Sequence, residues 1–404
     1  MSKKIRRVAG AALATCATFA MVAPSAFAWG DDDAPPIELD GRAVVATDGP
    51  VVVRVAGQDR IETAIKALCT RPMWRTNGEG PDHLILADSM NYADALASAP
   101  LADILDAPIL VTAAGDTVDP RIISLLVLGC DGKKSTGDDR PFDTVTITSG
   151  TGVLTDKVVK QLRDPIVWKA DGTLDTSKGA GIGLVDRYAG ANRYQTSTEI
   201  ARVVSNEIRT RGGNNVDIFF ADGQNFPDAL AAGAAAAEHN GVVLLTMGAG
   251  GLDESTFKFA SNAPYAGFHN LNHRQIWAVG GAAAAAMPRG FSGQPIEQTN
   301  TVVGSDRYET ATKLASQVFG TGANAPRDYV VTSGENYADA VFAGGYAANI
   351  DAPLVLTPSA SLSPFTANYL KTTAPDKSRI IVFGGTGSVT PAVQGQIVTA
   401  VTKL

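Results

Sequence analysis

Short apolar runs and longer amphipathic stretches alternate along this chain. "HLILAD" (83–88) precedes a segment opened by "NYADAL" (91–96), "PILVT" (108–112) precedes "DPRIISLLVL" (119–128), and "TVTIT" (144–148) precedes "LTDKVVKQL" (154–162). Compact apolar runs rich in β-branched residues predict strands, and the longer stretches carry apolar residues at helical spacing. Strand, helix, strand, helix is the signature of a parallel sheet with helical crossovers. The expectation is an α/β fold built from small, Rossmann-like three-layer units.

The same pattern returns. "GQDRIETA" at Gly57–Ala64 recurs as "GANRYQTS" at Gly190–Ser197 and "GSDRYETA" at Gly304–Ala311. A second motif follows each copy: "NYADALA" from Asn91, "NFPDALA" from Asn225 and "NYADAVF" from Asn336. Its aspartates, Asp94, Asp228 and Asp339, lie 37, 38 and 35 residues after the leading glycines. A third landmark comes later in each copy: "TITSGTGVLTDKV" from Thr146, "AVGGAAAAAMP" from Ala278 and "IVFGGTGSVTPAV" from Ile381. Three tandem copies of one unit follow, each roughly 105 to 130 residues long. The division reads as a leader at 29–50, repeats at 51–168, 184–290 and 301–404, and Gly-rich joins at 169–183 and 291–300.

In "DRIETAIKAL", Ile61, Ala64, Ile65 and Leu68 form one apolar helix face, and Asp59 falls at the N-cap with Glu62 at the third helical position. That is a capping box, in which two side chains take up backbone N–H groups the helix leaves unpaired. Asn192 and Gln195 in the middle copy meet the same donors without charge, so these acids read as caps and not as a catalytic pair. The second motif reads alike, with Asn91, Asn225 and Asn336 as N-caps and the three aspartates at the third position. Arg60, Arg193 and Arg307 occupy the first helical position, where a cation opposes the helix dipole. One reading pairs each arginine with its own unit's aspartate, bracing two helix starts. The other is a charge-assisted contact to an anionic ligand, aided by helix N-terminal N–H groups, and both can hold in one site. These nine arginines, aspartates and asparagines are the candidate binding set. The Ala/Gly-rich segments "ALASAPLADIL", "ALAAGAAAAEH" and "AVFAGGYAANI" fit either close contacts between units or ordinary helix-on-sheet packing.

The amino terminus departs from this pattern. Lys3, Lys4, Arg6 and Arg7 precede an uncharged apolar run at 8–23 and "PSAFA", the order of a secretory signal peptide cleaved after Ala28. The run is short for a membrane anchor, and a lipoprotein reading through Cys16 fits poorly because the apolar stretch continues beyond it. Removing residues 1–28 leaves 30 basic against 41 acidic residues, a charge of −11. An acidic exported chain is a poor general binder of nucleic acid. It retains Cys69 and Cys130, both in the first repeat, which in an oxidising compartment either pair or stay as two buried thiols.

Taken together, "GSDRYETA", "NFPDALA" and "VFGGTGSVT" resemble the motifs of the cell wall binding repeat 2 family, in three copies covering nearly the whole mature chain. The resemblance implies three Rossmann-like units packed with pseudo-threefold symmetry in a toast-rack arrangement. It also implies noncovalent retention of exported proteins on Gram-positive cell walls through anionic wall polymers, teichoic-acid-like or polysaccharide. Departures are visible. The first copy has Ile61 where the others have Tyr194 and Tyr308, and Ser149 where they have Gly280 and Gly384; the second has the amide caps and "GGAAAAAMP". Equal binding by all three copies is therefore not expected.

Signals for catalysis are thin. His269 and His273 stand at i, i+4 but lack a zincin glutamate, and "FGGTGSVT" lacks the third glycine of a dinucleotide fingerprint. No GxSxG elbow is present, and the Asp-rich leader lacks calcium-loop spacing. The expectation is a secreted, non-enzymatic wall-binding protein with no metal, no cofactor and no membrane span after signal cleavage, and with no room for a separate effector domain. The alternatives are a wall hydrolase or a modifier of one, and a surface protein that binds other proteins.

Overall fold

The computed structural model describes residues 50–69, 81–89, 95–130, 132, 142–213, 215–261, 272–288, 290–291, 294–295 and 299–402. The signal peptide, the leader before residue 50, Asn91, Asp94 and His269 lie outside the described residues.

The first unit runs β1 (Val51–Val55), α1 (Arg60–Cys69), β2 (His83–Asp88), α2 (Ala99–Ile104), β3 (Ile109–Thr112), α3 (Pro120–Leu128), β4 (Thr144–Ile147) and α4 (Asp156–Arg163). The second continues with β5 (Leu184–Arg187), α5 (Arg193–Thr210), β6 (Asn215–Asp222), α6 (Phe226–Glu238), β7 (Gly241–Thr246), α7 (Glu254–Ala260), β8 (Asn272–Val279) and α8 (Gly281–Ala286). A small antiparallel pair follows, β9 (Gly290–Phe291) with β10 (Gln294–Pro295). The third has β11 (Thr299–Val302), α9 (Arg307–Val318), β12 (Asp328–Ser333), α10 (Tyr337–Asn349), β13 (Leu354–Thr357), α11 (Pro364–Thr373), β14 (Arg379–Phe383) and α12 (Pro391–Val401).

Three four-stranded sheets result, ordered β3-β2-β4-β5, β7-β6-β8-β11 and β13-β12-β14-β1. Every pairing within them is parallel. Strands such as β3, β7 and β12 are buried throughout, as parallel strands covered on both faces must be. Sheet and sequence repeat are offset by one strand. The opening strand of each unit joins the sheet of the unit before it, so β5 pairs with β4 and β11 with β8. β1 then closes the ring on β14, with Val53 opposite Ile381.

The helix after each opening strand returns to its own unit: α1 packs on β3, α5 on β7 and α9 on β13. Each octapeptide is thus the point where the chain leaves one sheet and enters the next, which is why it occurs three times. The Ala/Gly-rich helices α2, α6 and α10 pack against one another at the centre, where Ala99, Ala237 and Ala348 form a buried cluster. A Cβ on Gly233 would come within 2.9 Å of the Ala99 Cβ, so that glycine sets the approach of α6 to α2. These helices therefore line the contacts between units.

The segment 169–183 folds back against α4. The Ile182 N–H donates to Leu162 O at 2.9 Å, and Leu174, Ala180 and Ile182 are buried. Cys69, ending α1, is bonded to Cys130 beyond α3, with Cα atoms 5.5 Å apart. No helix among the described residues is long and apolar enough to cross a membrane.

Candidate functional site

At each crossing the leading glycine lies against the first turn of the following helix. A Cβ would fall 2.5 Å from Thr63 N at Gly57, 2.2 Å from Gln195 Cβ at Gly190, and 2.4 Å from Thr310 N at Gly304. The threonine of the octapeptide secures the loop. Thr63, Thr196 and Thr310 accept the N–H of those glycines at 2.8, 3.0 and 3.0 Å, a role the sequence reading missed.

The capping box forms in all three copies. Asp59 accepts Glu62 N–H at 2.9 Å, Asn192 accepts Gln195 N–H at 2.9 Å, and Asp306 accepts Glu309 N–H at 2.8 Å. In return Glu62 takes Gln58 N–H, Gln195 takes Ala191 N–H and Glu309 takes Ser305 N–H, one residue before the cap in each case. The Ser305 N–H and the Lys313 ammonium hold the Glu309 carboxyl down at about 2. The amides of the middle copy keep the geometry and give up the charge.

Each arginine of the candidate set reaches across its own unit to the residue that follows the second strand. Arg60 donates to Ser89 O, Arg193 to Gly223 O and Arg307 to Gly334 O, each at 2.6 Å. The second-motif aspartates that feel these charges belong to the preceding unit. Arg307 acts on Asp228 and Arg60 on Asp339. Among the described residues neither Arg193 with Asp228 nor Arg307 with Asp339 forms the ion pair expected within one unit, and the influence of Arg307 and Arg60 reaches the preceding unit's aspartate instead; the pair of Arg60 with Asp94 lies outside the described residues.

Asp228 and Asp339 sit against the turn after the fourth strand of their own unit. At Gly280, with φ +87°, a Cβ would lie 1.9 Å from Asp228 Oδ2; at Gly384, with φ +110°, it would lie 2.8 Å from Asp339 Oδ2. Burial, reinforced by Asp222, pushes the Asp228 carboxyl up to about 6 against the pull of Arg307. Burial also raises Asp339, but the Ser388 hydroxyl donates to its Oδ2 and, with Arg60, restrains the rise. In the first unit the equivalent turn residue is Ser149, whose hydroxyl accepts the Asp88 N–H at 3.1 Å.

Of the second-motif asparagines, Asn225 does not cap as expected. Asn225 holds the N-cap position of α6, but its side chain takes no backbone N–H, and Asn336 donates to the Ser388 hydroxyl at 3.4 Å. Asn225 thus builds no capping box, and Asn225 and Asn336 both stand exposed at the lip of the crevice.

Two further arginines were not read from the sequence. Arg54, buried in β1, donates to Gly384 O at 2.6 Å and to Gln394 at 2.9 Å, and Arg187 in β5 donates to Ser149 O. Both clamp the last turn of the preceding unit. Their signal was available as an arginine three residues before the octapeptide glycine; the third copy has Thr301 there.

Each junction thus assembles one crevice at the carboxyl ends of parallel strands, where open α/β sheets bind ligands. Where the second unit meets the third and the third meets the first, it combines a helix start, a glycine turn, a largely buried carboxylate and the charge of an arginine from the next unit. Such an arrangement defines a ring of three repeated α/β units. The chain belongs to the cell wall binding domain 2 (CWB2) family, whose model matches residues 54–159, 187–286 and 301–394. It is similar to the N-acetylmuramoyl-L-alanine amidase LytC of Bacillus subtilis (strain 168), 26% identical over 216 residues, which are 53% of this chain and 38% of that protein. Among solved structures it resembles Cwp6 from Clostridium difficile, with a TM-score of 0.65 and 20% identity over 88% of this chain and 48% of that one. Cwp8 from the same organism gives a TM-score of 0.64 and 20% identity over 86% and 51%. The chain therefore spans about half the length of these structural relatives and less of the amidase.

Proposed function

We propose that this chain is exported, cleaved after Ala28 and held noncovalently on the cell wall by anionic wall polymers, with no catalysis of its own. Membership of a cell wall binding family through all three repeats carries this reading. The crevices supply chemistry suited to it: an arginine at each of three helix starts, with exposed asparagines at Asn225 and Asn336, matches a polymer whose charged units repeat. With a mature charge of −11, attraction must be local to these crevices and is screened by salt. The resemblance to an amidase favours a second role, modifying a wall hydrolase, if the shared segment is the wall-binding part of that enzyme.

The test is a pull-down of residues 29–404 on purified Gram-positive walls before and after extraction of anionic polymer. Saturable binding lost on extraction supports the reading. Binding that survives extraction points to peptidoglycan or a protein partner, and hydrolysis of the walls by the purified chain would reverse the non-enzymatic assignment.

A further inference from the structure

One strand of the ring is bonded to a unit it does not belong to in sequence. Among the described residues β1 pairs with β14 alone, from Val51 opposite Arg379 to Val55 opposite Phe383. Its ends are fixed there too, because the Val51 N–H donates to Ser378 O at 2.8 Å and the Gly384 N–H to Val55 O at 3.0 Å. Arg54 adds Gly384 O and the Gln394 side chain of α12, and Val52, Val53 and Val55 are buried. β1 is the outermost strand of its sheet, so β14 keeps β12 when β1 leaves. The junction itself has other supports: α10 packs on α2 and β3, the Asn349 amide donates to Ala107 O at 3.0 Å, and Gly345 lies against Ile109. The slot beside β14 is therefore held open by helices, and its bonds are satisfied by any copy of β1.

β5 and β11 fill the equivalent slots beside β4 and β8, but each lies between two repeats and is tied in place by the chain on both sides. β1 is joined to a repeat on one side, through residues 56–59, which extend to about 14 Å. We propose that the junction of the third and first units is an interaction surface for a second copy of this chain, in which two molecules exchange β1 and each lays it beside the other's β14. Every bond of the strand is remade between molecules, so the exchange is self-complementary and closes at two copies. What opposes it is the closed hinge, where the Gly57 N–H donates to Thr63 at 2.8 Å and the Gln58 N–H to Glu62 at 2.9 Å, together with the entropy of association. Single molecules therefore dominate when dilute, and exchange grows as copies are concentrated on one surface, whatever retains them there.

The test locks the strand in its own molecule. Val53 and Ile381 are buried partners in register, and Cys69 and Cys130 are already bonded to each other. In residues 29–404, Val53→Cys combined with Ile381→Cys thus adds one pair of thiols, placed across the junction. Light scattering of the wild-type chain should show the mass doubling as concentration rises. The double variant, oxidised while dilute, should lose that dimer, and reduction should restore it to the level of wild type in the same reductant. A locked chain that dimerises like wild type overturns the exchange, as does a wild type that stays monomeric at every concentration.

A second variant leaves the core untouched. Gln58→Pro, on the exposed hinge, removes the N–H bonded to Glu62 and presses Gly57 toward extended backbone, so it favours the straightened form. It should raise the dimer association constant on the order of fivefold, the equilibrium effect of one hydrogen bond. An unchanged or lower constant means that the hinge does not open on dimerisation, and the exchange is then overturned even if the core variant fails to fold.

Discussion

At the residue scale, the octapeptide is conserved within the chain by contact geometry. Gly304 admits no Cβ because the backbone nitrogen of Thr310 lies 2.4 Å from where it would sit, and a backbone atom cannot rotate away. Gly304→Ala should destabilise the protein on the order of 2 kcal/mol in urea unfolding. Gly344→Ala is the contrasting case, since its Cβ would meet only Leu230 O at an ordinary 3.9 Å. That substitution should leave the midpoint unchanged or slightly raised, helped by the better helix propensity of alanine. Equal losses at both sites would mean that steric contact is not what selects glycine at the crossing.

Elements are held by local chemistry that differs from copy to copy. Only the first unit ties its crossing helix with a disulfide, Cys69 at the end of α1 to Cys130 past α3, enclosing a loop of 61 residues in sequence separation. A loop of that size constrains the unfolded chain by about 4 kcal/mol in the chain-entropy view. Cys130→Ser should lower the melting temperature under oxidising conditions, and reductant should erase the difference from wild type. In the same unit Arg121 bonds Asp59, the N-cap of α1, at 2.9 and 3.0 Å as well as Asp119, the N-cap of α3. The two helix starts are thus joined by one guanidinium. The middle copy has Ser255 at the position aligned with Arg121 and amides in its box, so its cap needs no such partner. Charge and counter-charge have changed together.

For the whole molecule, the ring is covalent at two junctions and closed by pairing at the third. β5 and β11 continue directly from the units whose sheets they complete, whereas β1 meets β14 across more than 300 residues, with Arg54 bonded to Gly384 O at a separation of 330. Deleting residues 29–56 removes an element numbered in the first repeat but leaves β14, still paired with β12, as an open edge of the third sheet. Limited proteolysis of that variant should cut first in the third unit. Cleavage confined to the first unit would contradict the offset between repeat and sheet.

The sequence alone determined the parts that depend on local order. The alternation of apolar runs, the three copies, the capping boxes and the family all follow from residues near one another in the chain, because helix starts and strand periodicity are short-range physics. Arg60, Arg193 and Arg307 were legible as anomalies for the same reason: a cation at a helix start needs an explanation. Their partners were not. Which aspartate faces which arginine depends on the opening strands joining the preceding sheets, a choice made by tertiary packing that no spacing encodes. Asn225 of the second motif read as a cap because an Asn before a helix usually is one, yet in the fold its side chain takes no backbone N–H. Arg54 and Arg187 were hidden in apolar strands until the turns they clamp came from another unit. Local sequence sets each element and its ends; only the closed ring brought Asp228 and Asp339 under the influence of the next unit's Arg307 and Arg60.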